Sequence, residues 1–225
     1  WTAVVLADAL IALDRESDAE AALRSFLDAH PFELPPRLRW IALHDARGDF
    51  AAGDALAEAA VRVAGNAPPS AKAVMLWARA ARAAQNRDAF ELATARWEAV
   101  VAQTPADAHA WTQLGLSRYA LGRTASATSA LERAHAQAPD SAQAANALAW
   151  LLLEAGDTAR ALALARNAVA LRAAPSYHDT LARALDASGD CNGALEQATL
   201  AAASEKNELV AYLRELRTRC VLPQP

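Results

Sequence analysis

The chain has 225 residues, 54% of them hydrophobic and only 8 of them glycine, with a formal net charge of −4 and a sequence pI near 5.7. That acidic balance excludes a general nucleic-acid binder, which carries a strong basic excess. No apolar stretch reaches the roughly 20 residues that span a bilayer: the opening run from Trp1 to Leu13 is broken by Asp8, and the leucine run at 151–153 meets Glu154.

Alanine dominates the apolar fraction. It is the best helix former and adds little bulk, so an all-α fold of closely approaching helices is expected rather than a sheet. Opening on Trp1 instead of a methionine, the chain reads as a segment of a longer protein.

In chain order, Asp14, Ala19 and Pro31 are followed 34 residues later by Gly48, Gly53 and Gly65, which predicts two related units within 1–67. Residues 68–73 break the step and predict an inserted loop. The step then resumes over 74–204, where Trp77 and Trp111, and Pro105 and Pro139, lie 34 apart. Gly122, Gly156 and Gly189 follow at steps of 34 and 33, in the turn-like settings LGRT, AGDT and SGDC; Leu114, Leu148 and Leu181 keep the same register, as do Ala127, Ala161 and Ala194. Four units are expected there. Gly115, Ala149 and Ala182 are small enough for each first helix to sit against the alanines of its partner, and Leu152, Leu162, Leu185 and Leu195 recur at helical spacing as core. Residues 205–220 read as a capping helix with Leu209, Leu213 and Leu216 on one side and Arg214, Glu215, Arg217 and Arg219 facing out; 221–225 is a tail.

Trp111, Leu114, Gly115, Ala127, Leu131, Ala134 and Pro139 follow W-x2-L-G, A-x3 and P at a period of 34, with Arg118 where that pattern has tyrosine. Trp77, Phe90, Ala93, Trp97 and Pro105 repeat it one unit earlier, and the first two units lack the leading tryptophan. The chain therefore resembles the tetratricopeptide-repeat family along almost its whole length. The resemblance implies a right-handed α-solenoid of about six helix-turn-helix units with a C-terminal capping helix. It also implies a non-catalytic scaffold that docks a protein or peptide in a concave groove lined by the first helix of each unit. The groove positions fall on Met75, Ala78, Arg82 and Gln85; His109, Thr112, Leu116 and Tyr119; Gln143, Asn146, Trp150 and Leu153; and Ser176, Asp179, Arg183 and Asp186. Arg39 and Arg79 fall at its edge. Tyr119 and Trp150 offer aromatic surface, Gln143 and Asn146 hydrogen bonds for a peptide backbone, and Arg79, Arg82 and Arg183 charge for an anion. One subgroup of the family clamps the carboxylate of chaperone tails with lysines; Ala78 and His109 stand at those positions, which argues against that ligand.

No nucleophile elbow, phosphate loop, zinc-protease helix or C-x-x-C occurs, and His30, His44, His109, His135 and His178 are scattered, so neither catalysis nor a cofactor or metal is expected. Cys191 and Cys220 are more informative. With the last repeat helix over about 191–203 and the cap over about 207–219, both thiols fall at the open end of one helical hairpin. A disulfide there would tie down the cap and place the protein in an oxidising compartment, the periplasm of a bacterium or another exported setting. Two free thiols in the cytoplasm are the alternative. Two further readings stay open: a recognition or regulatory segment of a larger enzyme, and an anionic-polysaccharide binder using Arg39, Arg79, Arg82 and Arg183.

Overall fold

The computed structural model describes residues 2–31, 33–64, 78–82, 89–203 and 207–221, and every regular element among them is an α-helix. The loop expected at 68–73 lies outside the described residues, as do Met75, Trp77, Gln85 and 222–225. The chain divides into two compact units, Trp1–Ala106 and Asp107–Pro225.

In the first unit, α1 (Thr2–Ala12) folds back into α2 (Glu16–Ala29), and α3 (Leu34–Ala46) into α4 (Phe50–Ala64); residues 78–82 are helical and α5 spans Phe90–Gln103. Ala7 meets Ala19 and Leu23, all three fully buried, with Leu10, Ile11 and Trp40 packed around them. The α1–α2 turn passes through Asp14 at φ 57°, and the α3–α4 turn through Gly48 at φ 75°. Aspartate is one of the few L-residues that visits this left-handed region, so the turn is kept at Asp14 without glycine. In both turns the backbone N–H one residue further on bonds the carbonyl five back at 2.9 Å, Arg15 to Leu10 and Asp49 to His44, closing the helix end.

Gly53 has a different purpose. A Cβ there would lie 2.9 Å from Asp45 Oδ1 and inside contact distance of the Arg79 guanidinium. The missing side chain leaves room for a bidentate pair, Arg79 Nη1 and Nη2 donating to Asp45 at 2.6 and 2.7 Å, while Arg79 Nε donates to Asp54 Oδ1 at 2.9 Å. Arg96 on α5 is buried and donates to the Ala80 carbonyl at 2.8 Å, with Glu58 of α4 at 3.6 Å.

The second unit contains three helix pairs and a final helix: α6 (Ala108–Ala120) with α7 (Thr124–Gln137), α8 (Ala142–Glu154) with α9 (Thr158–Leu171), α10 (Pro175–Ala187) with α11 (Cys191–Ala202), then α12 (Asn207–Val221). The expected small residues are at the contacts: Ala149, Ala182, Ala127, Ala161 and Ala194 are fully buried. A Cβ on Gly115 would sit 2.7 Å from Leu131 Cγ, closer than α6 and α7 allow. Asp107 and Ser141 cap α6 and α8, accepting from the N–H of Ala110 and Ala144; Asp157 and Asp190 do the same for α9 and α11. The turn closure seen at Arg15 and Asp49 recurs at Arg123, Asp157 and Asp190, each at 2.9 Å.

Tyr212, Leu213 and Leu216 of α12 are buried against α10 and α11, while Arg214, Glu215, Arg217 and Arg219 are exposed. Cys191 and Cys220 are joined by a disulfide, their Cα atoms 5.7 Å apart.

Candidate functional site

The first helices of the three pairs in the second unit, α6, α8 and α10, line a groove of about 510 Å³. Leu116 and Tyr119 come from α6, Gln143, Asn146, Ala147 and Trp150 from α8, Ser176, Tyr177, Asp179 and Thr180 from α10, and Arg172 from the turn before it. Gln143, Asn146 and Trp150 are three and four residues apart, so α8 presents them on one face.

At one corner three side chains converge. The Trp150 indole N–H lies 3.0 Å from Tyr119 Oη and 3.1 Å from Glu154 Oε1, and the Tyr119 hydroxyl donates to the same carboxylate oxygen at 2.6 Å. Burial, and then the adjoining Glu154 carboxylate, raise the Tyr119 phenol above its ordinary value of 10.0, so it stays a neutral donor. Glu154 has no cationic partner among the described residues. Arg183 lies over the Trp150 ring at 5.6 Å and over Tyr212 of α12 at 4.0 Å, with its Nε 3.1 Å from both oxygens of Asp179. On the other side, the Arg172 guanidinium lies 5.0 Å from the centre of the Tyr177 ring and donates to its hydroxyl. Between these, Asn146 contributes an amide whose Oδ1 is buried without a donor. An amide with an unspent acceptor is costly to bury alone.

Seven of the expected residues, Leu116, Tyr119, Gln143, Asn146, Trp150, Ser176 and Asp179, are thus brought together, and Arg183 adjoins them. Thr112 is placed elsewhere: it is 2% exposed, with its hydroxyl turned back to the Ala108 carbonyl at 2.8 Å, a core residue rather than a ligand contact. His109 is exposed at the start of α6 and does not line the groove. Arg79 and Arg82 belong to the first unit, where Arg79 is spent on Asp45 and Asp54 and Arg82 is exposed; Gln85 lies outside the described residues. A polysaccharide stripe needs free guanidinium groups, yet Arg39 pairs with Asp8, Arg79 with Asp45, and Arg183 with Asp179. His178 Nδ1 meets Gln197 Oε1 at 2.8 Å.

Glu154, Arg172, Tyr177 and Thr180 were not singled out by the sequence. A signal existed for Glu154: it follows Trp150 by four residues, one helical turn along the same face, although in the sequence it stands out only as the charge ending a leucine run. Arg172 precedes its helix, where the repeat pattern is silent. The cap also does more than cover an apolar face, because Tyr212 carries Arg183 on its ring, and Asp186 receives both the Tyr212 hydroxyl at 3.4 Å and Arg219.

Among the described residues no cluster of three His, Cys, Asp or Glu side chains could hold a metal, and no helix is long and apolar enough to cross a membrane. No sequence-family profile matches the chain, and no curated protein is significantly similar to it in sequence. Solved structures are similar in fold. The Pseudomonas aeruginosa protein pilF aligns over 95% of this chain and 96% of its own, with a TM-score of 0.69 and 13% identity. YrrB, described as a tetratricopeptide-repeat protein with an unusual peptide-binding site, aligns over 86% of this chain and 98% of its own, at TM-score 0.64 and 13% identity. TTC0263, a thermophilic tetratricopeptide-repeat protein of Thermus thermophilus, aligns over 80% of this chain and 96% of its own, at TM-score 0.59 and 22% identity.

Proposed function

We propose that this chain, which has the tetratricopeptide-repeat solenoid fold, is a non-catalytic scaffold that holds an extended peptide segment of a protein partner in the groove of α6, α8 and α10. The observation that carries this reading is the Asn146 amide: it lines the groove and its Oδ1 has no donor among the described residues. A turn of the amide about its last bond brings that oxygen to the groove, where a backbone N–H of a bound strand supplies the missing donor. Gln143 three residues away offers a second amide, and the Trp150 and Tyr119 rings give apolar area at low entropic cost. That YrrB, similar in fold, is described by a peptide-binding site supports the same direction. The Cys191–Cys220 bond supports an oxidising compartment such as the bacterial periplasm, and with it a place in an envelope, secretion or exopolysaccharide assembly.

Selection of a randomised dodecapeptide library on the full chain tests the reading. Wild-type protein is expected to enrich peptides that the Asn146→Ala, Trp150→Ala double variant binds at least about tenfold more weakly. Equal binding by the two proteins would contradict it.

A further inference from the structure

We infer that Glu154 is the specificity residue of the groove and that it selects a partner carrying a lysine or arginine side chain next to the docked strand. The inference rests on the peptide-groove reading above.

Three observations carry it. Glu154 is oriented, because two donors from different helices, the Tyr119 hydroxyl on α6 and the Trp150 indole on α8, converge on its Oε1. A surface carboxylate ordinarily samples several rotamers, and fixing it costs side-chain entropy unless the neighbours have already done so. It is also uncompensated: no arginine, lysine or histidine among the described residues pairs with it, in a protein where Asp45, Asp54, Asp179 and Asp186 all have arginine partners. Finally, both donors spend themselves on Oε1, so Oε2 of this exposed residue is left for a third partner beside the groove-lining Tyr119 and Trp150. Neighbouring charge does not fill that position. Arg183, over the Trp150 ring, is committed to Asp179, and Arg172 stacks on Tyr177. An ammonium or guanidinium is the group that completes such a site, since it donates to a carboxylate and its alkyl stem can lie along the Trp150 and Tyr119 rings.

The same dodecapeptide selection, run in parallel on two further variants of the 225-residue chain and on the double variant above, tests this. Glu154→Gln keeps an acceptor oxygen for Tyr119 and Trp150 but removes the charge; Glu154→Lys reverses it; Asn146→Ala with Trp150→Ala reports on the groove itself. Peptides selected by wild type are expected to share a lysine or arginine at one position. Glu154→Gln should bind those peptides about fivefold more weakly, with most of the salt dependence gone, and Glu154→Lys should select aspartate or glutamate at that position instead. The charge swap is the decisive arm, because a merely structural Glu154 predicts weakening in both variants and no reversal of preference. If wild-type peptides lack a shared basic position, or all Glu154 variants keep the same preference, the inference is overturned while the groove reading stands. If the Asn146, Trp150 variant selects and binds the same peptides as wild type, the groove reading fails and this inference falls with it.

Discussion

Replacing both Cys191 and Cys220 by serine removes the one covalent tie on the terminal helix. The two residues are 29 apart in sequence, and closing a loop of that size restrains the unfolded chain by up to about 3.6 kcal/mol at 25 °C. In a solenoid each element is held by its neighbours alone, so the loss falls on the end rather than on the whole chain. Helix α12 then depends on Tyr212, Leu213 and Leu216 packing against α10 and α11 and on the Arg219–Asp186 pair. Amide hydrogen exchange on the oxidised protein and the serine variant is the assay. Amides of α12 are expected to lose protection by up to a few hundred-fold, the equivalent of that free energy, while those of α6 and α7 exchange unchanged. Equal protection of α12 in the two proteins, or a loss spread evenly to α6, would refute both the magnitude and the local character of the effect.

Three other perturbations have expected signs. Asp14→Gly relieves a left-handed residue that costs about 1–2 kcal/mol, partly offset by the entropy glycine adds to the unfolded chain, so denaturant unfolding should show a gain of about 0.5 kcal/mol. Gly115→Ala gains about 1 kcal/mol of helix propensity but drives a methyl into the fully buried Leu131; urea unfolding should show a net loss of about 1–2 kcal/mol. The Arg79 guanidinium, through its hydrogen bonds first, holds the Asp45 carboxyl below its ordinary 3.8. A depressed carboxylate contributes stability above its unfolded value and loses it as pH falls through the lower folded value. Thermal melts should therefore drop as pH falls below about 4, and Arg79→Met should flatten that part of the profile; an unchanged profile would show that the pair contributes nothing measurable.

Most of the fold was legible because its causes repeat. Glycines at 122, 156 and 189 stand at turns that demand a left-handed residue, and the alanine pairs stand where helices must approach, so a fixed step exposes both. The last hairpin was legible too: helices α11 and α12 begin and end near the residues that the cysteine placement required. The site was legible only in part. A family pattern names positions on a helix but not whether the neighbours have already consumed the side chain. Thr112 satisfies the position and turns its hydroxyl into its own helix; Arg79 falls at the groove edge and is held by Asp54 and by Asp45, for whose pairing Gly53 leaves room. Glu154 shows the converse. Its meaning depends on Tyr119, 35 residues earlier, and that pairing exists only once α6 and α8 lie side by side.

The most direct measurement of the central claim is photo-crosslinking of a selected dodecapeptide carrying a benzophenone, mapped by mass spectrometry on the oxidised 225-residue chain. Adducts are expected on the groove faces of α6, α8 and α10, at residues such as Tyr119, Gln143, Trp150 and Ser176. Adducts confined to α7, α9 and α11, or to the first unit, would contradict the account.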